Sequence, residues 1–341
     1  MHAQLQYGLL LPHFGSYATR SAILDGARRA EELGFDSVWV RDHLVYHPHA
    51  HEDPDRTHID PLVTLAAVAG VTERLILGAG TLIPHRHPIH TALLLGSLER
   101  VAGPRRVIAA FGIGAFAHEF EAIGMGGLDR RDLIEEQIRL MRRLLTGEEI
   151  ASHEGKFYNF TDVAIQPVPA GGQGVPLWYG GSSPAAVRRA AEYCDGWLAS
   201  RTPRRDLRKR VARLTRFAEE HNRPTLPVGV IPYVSPAHTV EEGARAFNLP
   251  ALFADSARMY ELPAAGAFSA LDELDGAAIA GPADVIVEHV RSYQEAGVSH
   301  FVFDLRARFA DWFECLEMLG SQVLPELRRG DDQPQGSGAD A

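Results

Sequence analysis

The chain has 341 residues, of which 45% are hydrophobic, and its formal net charge at pH 7 is −10. This length suits either two average domains or one large α/β barrel. The negative charge disfavours nucleic acid and anionic membranes as partners, because both require a basic surface. The N-terminus lacks a signal-peptide pattern and no stretch is apolar enough to cross a membrane, so we expect a cytoplasmic protein.

Short apolar runs recur along the chain, and nearly all are followed by a segment with helical periodicity. The runs predict eight strands, at residues 5–11, 37–40, 75–80, 107–111, 177–179, 196–199, 228–234 and 300–305. Apolar spacing and N-cap residues predict helices at residues 21–33, 60–71, 91–101, 129–145, 283–296 and 311–327, and further helices that begin near residues 183 and 202. Aromatic residues and prolines at 151–169 indicate a surface excursion such as a short hairpin.

Eight strands that alternate with helices predict a (β/α)₈ TIM barrel, which we expect to form one domain over residues 1–329. After the seventh strand, residues 235–281 form a long insertion. This insertion is too apolar for a disordered linker, so we expect it to pack over the barrel mouth as a lid. The polar tail, residues 330–341, is expected to be disordered.

The predicted second strand ends at Asp42 and His43, and in a parallel barrel the carboxyl ends of all strands meet at one mouth. This acid and imidazole suit proton transfer, although a polar turn after a buried strand explains them as well. The other strand ends bring further polar residues and glycines to the same mouth: His13, Thr81, His85, Arg86, Gly112, Gly180, Gly181, Arg201, Tyr233, Asp304 and Arg306.

Several motifs resemble, in their order and spacing, the bacterial luciferase-like flavin-dependent superfamily. They are Leu-Leu-Pro-His-Phe-Gly at 10–15, Val-Trp-Val-Arg-Asp-His at 38–43, Leu-Gly-Ala-Gly-Thr at 77–81, Gly-Lys-Phe-Tyr at 155–158, Pro-Leu-Trp-Tyr-Gly-Gly-Ser-Ser-Pro at 176–184, Asp-Gly-Trp at 195–197 and Ala-Gly-Val at 296–298. The resemblance covers residues 5–327. It implies a barrel with an insertion after the seventh strand, and FMN or the deazaflavin coenzyme F420 as cofactor.

The Asp-His pair at the end of the second strand resembles the deazaflavin branch of this superfamily more than the luciferase branch. By this resemblance His43 is the candidate acid or base beside the reactive ring carbon. Asp42 then orients His43 or contacts the ring. An imidazole titrates near neutral pH, and a neighbouring carboxylate selects its tautomer, so the residue types agree with these roles.

The resemblance also implies a non-proline cis peptide at Gly80–Thr81 behind the flavin ring, where an ordinary β-bulge is the alternative. Residues 180–183 precede a helix, and its free amides suit a cofactor phosphate, although a plain capped turn fits them too. The candidate cofactor-binding residues are therefore His13, Asp42, Gly80, Thr81, Gly112, Gly180, Gly181, Ser182 and Ser183. The sequence departs from the superfamily at Ala110, which replaces the first glycine of a Gly-x-Gly-x-Gly run, and this weakens the transfer of contacts from that loop.

Histidines at positions 47, 49, 51 and 58 form a His-rich loop. A shared metal ion is disfavoured, because barrel metal sites draw ligands from separate strand ends, and we predict no metal site. We expect this loop to line the substrate entrance. The candidate substrate and rim residues are His85, Arg86, Arg201 and Tyr233. Positive potential from residues 85–87 suits an acidic cofactor tail or an anionic substrate, and equally a solvated rim.

These observations predict an oxidoreductase that moves a hydride between F420 and a small organic substrate while His43 handles the proton. The alternative is a monooxygenase that uses reduced FMN and O₂. A non-catalytic flavin-binding relative is a third possibility, and a metal-dependent barrel hydrolase is the least favoured. We expect the protein to form a homodimer.

Overall fold

The computed structural model describes residues 4–147, 151–169, 174–260 and 268–331, with side chains described except at 256–260 and 330–331. Eight parallel strands close a barrel in the order β1, β2, β3, β4, β7, β8, β9 and β12, with β12 beside β1. The predicted TIM barrel is therefore confirmed. The barrel strands are β1 (Gln6–Leu10), β2 (Ser37–Val40), β3 (Ile76–Leu82), β4 (Val107–Phe111), β7 (Leu177–Gly180), β8 (Gly196–Leu198), β9 (Val228–Val230) and β12 (His300–Phe303).

Two buried indoles fill the barrel interior below the mouth. The rings of Trp39 on β2 and Trp178 on β7 lie 6.0 Å apart. Glycines on the neighbouring strands make room for them: a Cβ at Gly78 would lie 2.2 Å from Trp39, and one at Gly196 would lie 2.5 Å from Trp178. Because interiors pack at crystal density, these glycines fix where the indoles sit. The packed interior leaves the mouth as the place for a ligand.

Helices surround the barrel in the expected alternation. They are α1 (Arg20–Glu32), α2 (Pro61–Ala69), α3 (Pro88–Ala102), α4 (Ala117–Glu121), α5 (Arg130–Leu145), α6 (Pro184–Tyr193), α7 (Arg204–Glu220), α8 (Val240–Ala244), α9 (Leu249–Tyr260), α10 (Ala283–Glu295), α11 (Trp312–Met318) and α12 (Leu324–Asp331). Side-chain caps begin several of them, such as Asp60 on α2, Asp129 on α5 and Ser183 on α6. Among the described residues, no helix combines the length and apolar character that a membrane crossing requires.

The prediction of one strand over residues 228–234 is wrong. The structure ends β9 at Val230, and a separate strand β10 (Tyr233–Pro236) pairs in parallel with β11 (Ala278–Gly281) outside the barrel. Pro232 lies between the two strands, and it has no N–H with which to continue the ladder. Between β10 and β11 the insertion contains α8, α9 and a 3₁₀ turn at Leu271–Leu274, while residues 261–267 lie outside the described part.

Two further helical regions differ from the prediction. The single helix expected at 311–327 is divided into α11, a π-helical turn at Leu319–Val323, and α12. The short helix α4 was not predicted, because five residues carry too little periodicity to detect.

The hairpin expected at 151–169 is present as the antiparallel strands β5 (Ala151–Glu154) and β6 (Asn159–Val163). Residues 332–341 of the predicted disordered tail lie outside the described residues.

Candidate active site

A buried carboxylate holds the imidazole of His43 at the barrel mouth. Nδ1 of His43 lies 3.3 Å from Oε1 of Glu119, a fully buried residue on α4. The same Oε1 accepts hydrogen bonds from the backbone N–H groups of Leu44 (2.8 Å) and Val45 (3.3 Å). Burial alone would raise the pKa of Glu119, but the hydrogen bond to His43 and the backbone donors lower it below its usual value. An ionised Glu119 therefore accepts from His43 and fixes its tautomer.

Aromatic rings surround the His43 imidazole. The ring centroids of His58, Tyr46 and Phe116 lie 5.3, 5.5 and 5.6 Å from that of His43. Both ring nitrogens of His58 are buried and have no hydrogen-bond partner in the structure. Burial lowers the pKa of His58, with a further contribution from His13, so its ring is neutral. These rings cover most of the His43 imidazole and leave its side chain 10% exposed.

One carboxylate oxygen of Asp42 accepts hydrogen bonds, and the other has no hydrogen-bond partner. Oδ2 accepts from the backbone N–H of Ile83 at 3.0 Å and from the guanidinium of Arg86, which also donates to Asp60 at 2.6 Å. Oδ1 is buried and has no partner. The predicted rim residue His85 lies beside this carboxylate, with its Nε2 3.8 Å from Oδ2. Buried polar atoms normally have partners, so Oδ1 marks a place where a ligand donor fits.

Thr81 lies close to other residues predicted to bind the cofactor. Gly80 and Thr81 are joined by a cis peptide bond, as the resemblance implied. A Cβ at Gly112 would lie 2.6 Å from Oγ1 of Thr81, and a Cβ at Gly180 would lie 2.1 Å from its Cγ2. Both glycines are therefore required by the close approach of β4 and β7 to the Thr81 side chain.

The turn before α6 opens onto a cavity of about 450 Å³. Ser183 caps α6 by accepting from the N–H of Ala186, while Gly181 adopts a φ of +136° that favours glycine. Ser182 and Ser183 line the cavity together with the predicted rim residues Arg201 and Tyr233. The sequence analysis missed two basic and three acidic residues of the same lining, which are Arg205, Arg210, Asp206, Asp255 and Glu273.

His13 packs beneath the site and does not face the cavity. It is fully buried, its Nδ1 lies 3.0 Å from the carbonyl of Leu11, and its Nε2 accepts the N–H of Arg41 at 3.2 Å. Burial lowers the pKa of His13 from 6.5 to about 4, so the ring is neutral at neutral pH. Because both ring nitrogens contact the backbone, His13 links the end of β1 to the end of β2. Its contact with a cofactor stays a prediction.

Two residues of the His-rich loop contact the insertion. Nδ1 of His51 lies 2.6 Å from Oδ2 of Asp255 on α9, and its Nε2 lies 3.0 Å from the hydroxyl of Tyr233. His49 lies 3.4 Å from the other oxygen of Asp255. The loop therefore contacts the insertion at the cavity, which His49 and His51 also line. Its place at the substrate entrance stays a prediction. No group of three or more metal-ligating side chains is present among the described residues.

Comparison with known proteins identifies the family. The sequence model of the luciferase-like monooxygenase family matches residues 6–300. The chain belongs to this family. The resemblance inferred from the motifs is thereby confirmed.

Relatives of full length within this family carry F420 in their names. The F420-dependent glucose-6-phosphate dehydrogenase of Nakamurella multipartita is 30% identical over 329 residues, which cover 90% of this chain and 93% of the relative. The enzyme of the same name from Microbacterium testaceum is 29% identical over 330 residues, with the same coverage of both chains. The similarity to these dehydrogenases therefore extends over about nine tenths of each chain.

Solved structures confirm the fold. An F420-dependent secondary alcohol dehydrogenase in complex with an F420–acetone adduct superposes with a TM-score of 0.79 at 20% identity, covering 95% of this chain and 99% of that one. The oxygenating constituent of 3,6-diketocamphane monooxygenase from Pseudomonas putida, with FMN, superposes with a TM-score of 0.74 at 20% identity, covering 96% and 99%. Both cofactor classes occur on this barrel, so fold alone does not select between them.

Proposed function

We propose that this protein is an F420-dependent dehydrogenase that oxidises a small alcohol, with His43 as the base. One observation carries the proposal: the fully buried Glu119 holds Nδ1 of His43 at 3.3 Å at the mouth of the barrel. A base that takes the proton of an alcohol needs a fixed tautomer and a carboxylate to stabilise its charged form. The full-length relatives named as F420-dependent dehydrogenases support the choice of cofactor.

The residues at the mouth fit a deazaflavin. The buried Oδ1 of Asp42, which has no partner in the structure, would accept an N–H of the ring. The N-terminus of α6 with Ser182 and Ser183, beside Arg205 and Arg210, would hold the phosphate and acidic tail, because free amides and guanidinium groups both attract anions. When bound, F420 supplies the acceptor for the hydride that leaves the alcohol carbon, so the alcohol becomes a carbonyl compound and the cofactor is reduced.

His43 and Glu119 have separate roles in removing the hydroxyl proton of the alcohol. Glu119 accepts from Nδ1 of His43, which leaves the lone pair of Nε2 to take the hydroxyl proton of the alcohol. The carboxylate stabilises the imidazolium that forms. The surrounding rings of Tyr46, His58 and Phe116 exclude water, which strengthens this interaction in a medium of low dielectric constant. Glu119 is thus a positioning residue, whereas His43 contacts the substrate.

Titration of the purified protein with F420, FMN and FAD, followed by turnover with and without O₂, tests this proposal. We expect F420 alone to bind tightly and its reduction by alcohols to proceed without O₂. Preference for FMN together with consumption of O₂ would instead support the monooxygenase alternative. Tight flavin binding without turnover of any substrate would support a non-catalytic relative.

We also propose that the protein is a cytoplasmic homodimer. The helices α2 and α3 expose large apolar side chains: Val63 is 63% exposed, Leu93 is 40% exposed and Val101 is 67% exposed. Exposed apolar patches of this kind often mark interfaces between subunits. Sedimentation of the wild type and of Val63→Glu tests the proposal, and an unchanged monomer in both samples would contradict it.

A further inference from the structure

The cavity lined by Ser183, Arg201 and Tyr233, here the inner cavity, contains a guanidinium that is bound by a carboxylate of the chain itself. Arg201 donates to Oδ2 of Asp304 at 2.8 Å, and Nε of Arg306 donates to both oxygens of Asp304 at 2.9 and 2.8 Å. Asp304 is fully buried. Burial alone would raise the pKa of Asp304, but the two arginines lower it, so the carboxylate stays ionised. An incoming anion would have to displace it.

A second buried carboxylate completes the network. Glu52 accepts from Arg41 at 2.7 Å and from Arg306 at 2.5 Å, and its other oxygen accepts from the hydroxyl of Tyr46 at 2.7 Å. Burial would raise the pKa of Glu52, but Arg41 and Arg306 lower it well below its usual range. Each of the two carboxylates therefore binds two guanidinium groups, which leaves these cations occupied by the protein.

The opposite wall of the cavity carries a negative charge and apolar side chains. Asp255 lines it at the contact with His51, and Leu252, Phe268 and Leu274 provide the apolar surface. The two lysines of the chain lie elsewhere: Lys156 pairs with Asp132 near the β5–β6 hairpin, and Lys209 lies on the exposed side of α7. Arg86 is bound by Asp42 and Asp60.

We propose that the substrate of this site is an uncharged alcohol and that the inner cavity excludes phosphate esters, unlike the sites of the relatives named for glucose-6-phosphate. A phosphate dianion needs cations that are free to form bidentate hydrogen bonds. Here Arg201 already pairs with the buried Asp304, and the carboxylates of Asp206, Asp255 and Glu273 in the same lining repel a further anion. The other two arginines of the lining form only long ion pairs, Arg205 with Asp275 at 3.8 Å and Arg210 with Asp206 at 3.9 Å, and Arg210 also donates to the carbonyl of Ser182. These two arginines are assigned to the cofactor. This inference rests on the proposed F420-dependent dehydrogenase function.

The wild-type protein tests the proposal without any substitution. F420 binding is first measured by quenching of its fluorescence, and the saturated complex is then titrated calorimetrically with inorganic phosphate and glucose-6-phosphate. Anaerobic rates of F420 reduction are compared for glucose-6-phosphate, glucose and a panel of uncharged primary and secondary alcohols. We expect no heat from either phosphate compound, no turnover of glucose-6-phosphate, and turnover of at least one uncharged alcohol.

The possible failures are distinct. Absence of F420 binding would reject the proposed function, and the substrate class with it. Binding of F420 together with saturable turnover of glucose-6-phosphate, or with phosphate binding to the saturated complex, would reject only the substrate class. Failure of every uncharged alcohol to reduce bound F420 would also reject it.

The Asp304→Asn variant tests the role of the internal carboxylate directly. Neutralising Asp304 removes the charged partner of Arg201, while Arg306 stays bound to Glu52, so we expect the affinity of the F420 complex for inorganic phosphate to rise by about tenfold or more. The matched control is Asp25→Asn, which removes a carboxylate from an exposed pair with Arg28 on α1 and leaves phosphate affinity unchanged. A folded Asp304→Asn variant with unchanged phosphate affinity would contradict the proposal; if this variant does not fold, the wild-type titration decides.

Discussion

Glu119 and His43 are 76 positions apart in the sequence, yet an oxygen of Glu119 lies 3.3 Å from Nδ1 of His43. The contact joins the end of β2 to the short helix α4 that follows β4. Two backbone N–H groups beside His43 also donate to Glu119, so the carboxylate fixes both the ring and the turn that carries it. A rigidly held base of this kind is what the removal of an alcohol proton requires.

Replacement of Glu119 by Gln is expected to lower kcat by about 100-fold, because the amide does not stabilise a positively charged His43. F420 affinity should stay unchanged. Glu119→Asp should recover part of the rate. The matched control is Glu121→Gln, an exposed carboxylate on the same helix. Equal rates for Glu119→Gln and the wild type would remove Glu119 from the mechanism.

Gly180→Ala should destabilise the protein by about 1–3 kcal/mol, because the added Cβ meets Cγ2 of Thr81 in a packed region. Gly70→Ala serves as the control, since the nearest atom to its added Cβ is 3.5 Å away, an ordinary contact distance. Urea unfolding of both variants measures the difference. Equal free energies of unfolding would show that β7 can move away from Thr81.

Stability should fall as the pH decreases from about 6.5 towards 4, because the pKa of His13 is about 4 in the folded protein and 6.5 ordinarily. The unfolded chain binds the proton first, so the contribution of neutral His13 is complete above pH 6.5 and is lost as the pH falls towards the folded pKa. Each unit of pKa difference corresponds to about 1.4 kcal/mol. His13→Gln should therefore flatten the pH dependence of the unfolding free energy, whereas His47→Gln, at an exposed position, should not.

The barrel was predictable because strand-forming runs and helical periodicity alternate along the whole chain, and local patterns of this kind specify local structure. The positions of Asp42 and His43 at the mouth followed from the same alternation. The cis peptide at Gly80–Thr81 was predicted from the family resemblance, since the residues alone fit a β-bulge equally well.

The features that the sequence did not predict depend on contacts between distant segments. Glu119 lies in a five-residue helix without detectable periodicity, and only the fold brings it to His43. The same holds for Glu52, whose two arginine partners come from the ends of β2 and β12. The backbone contacts of both His13 ring nitrogens could not be read from the sequence either, because they depend on how the ends of β1 and β2 lie beside each other.

The central claim is that His43 takes the proton in an F420-dependent oxidation, and the variant His43→Ala tests it most directly. The dissociation constant for F420 and the anaerobic rate of F420 reduction by an uncharged alcohol are measured for the wild type, for His43→Ala and for the control His47→Ala, an exposed histidine of the neighbouring loop. We expect His43→Ala to bind F420 as the wild type does while its rate falls by about 100-fold or more. A wild-type rate in His43→Ala would contradict the claim.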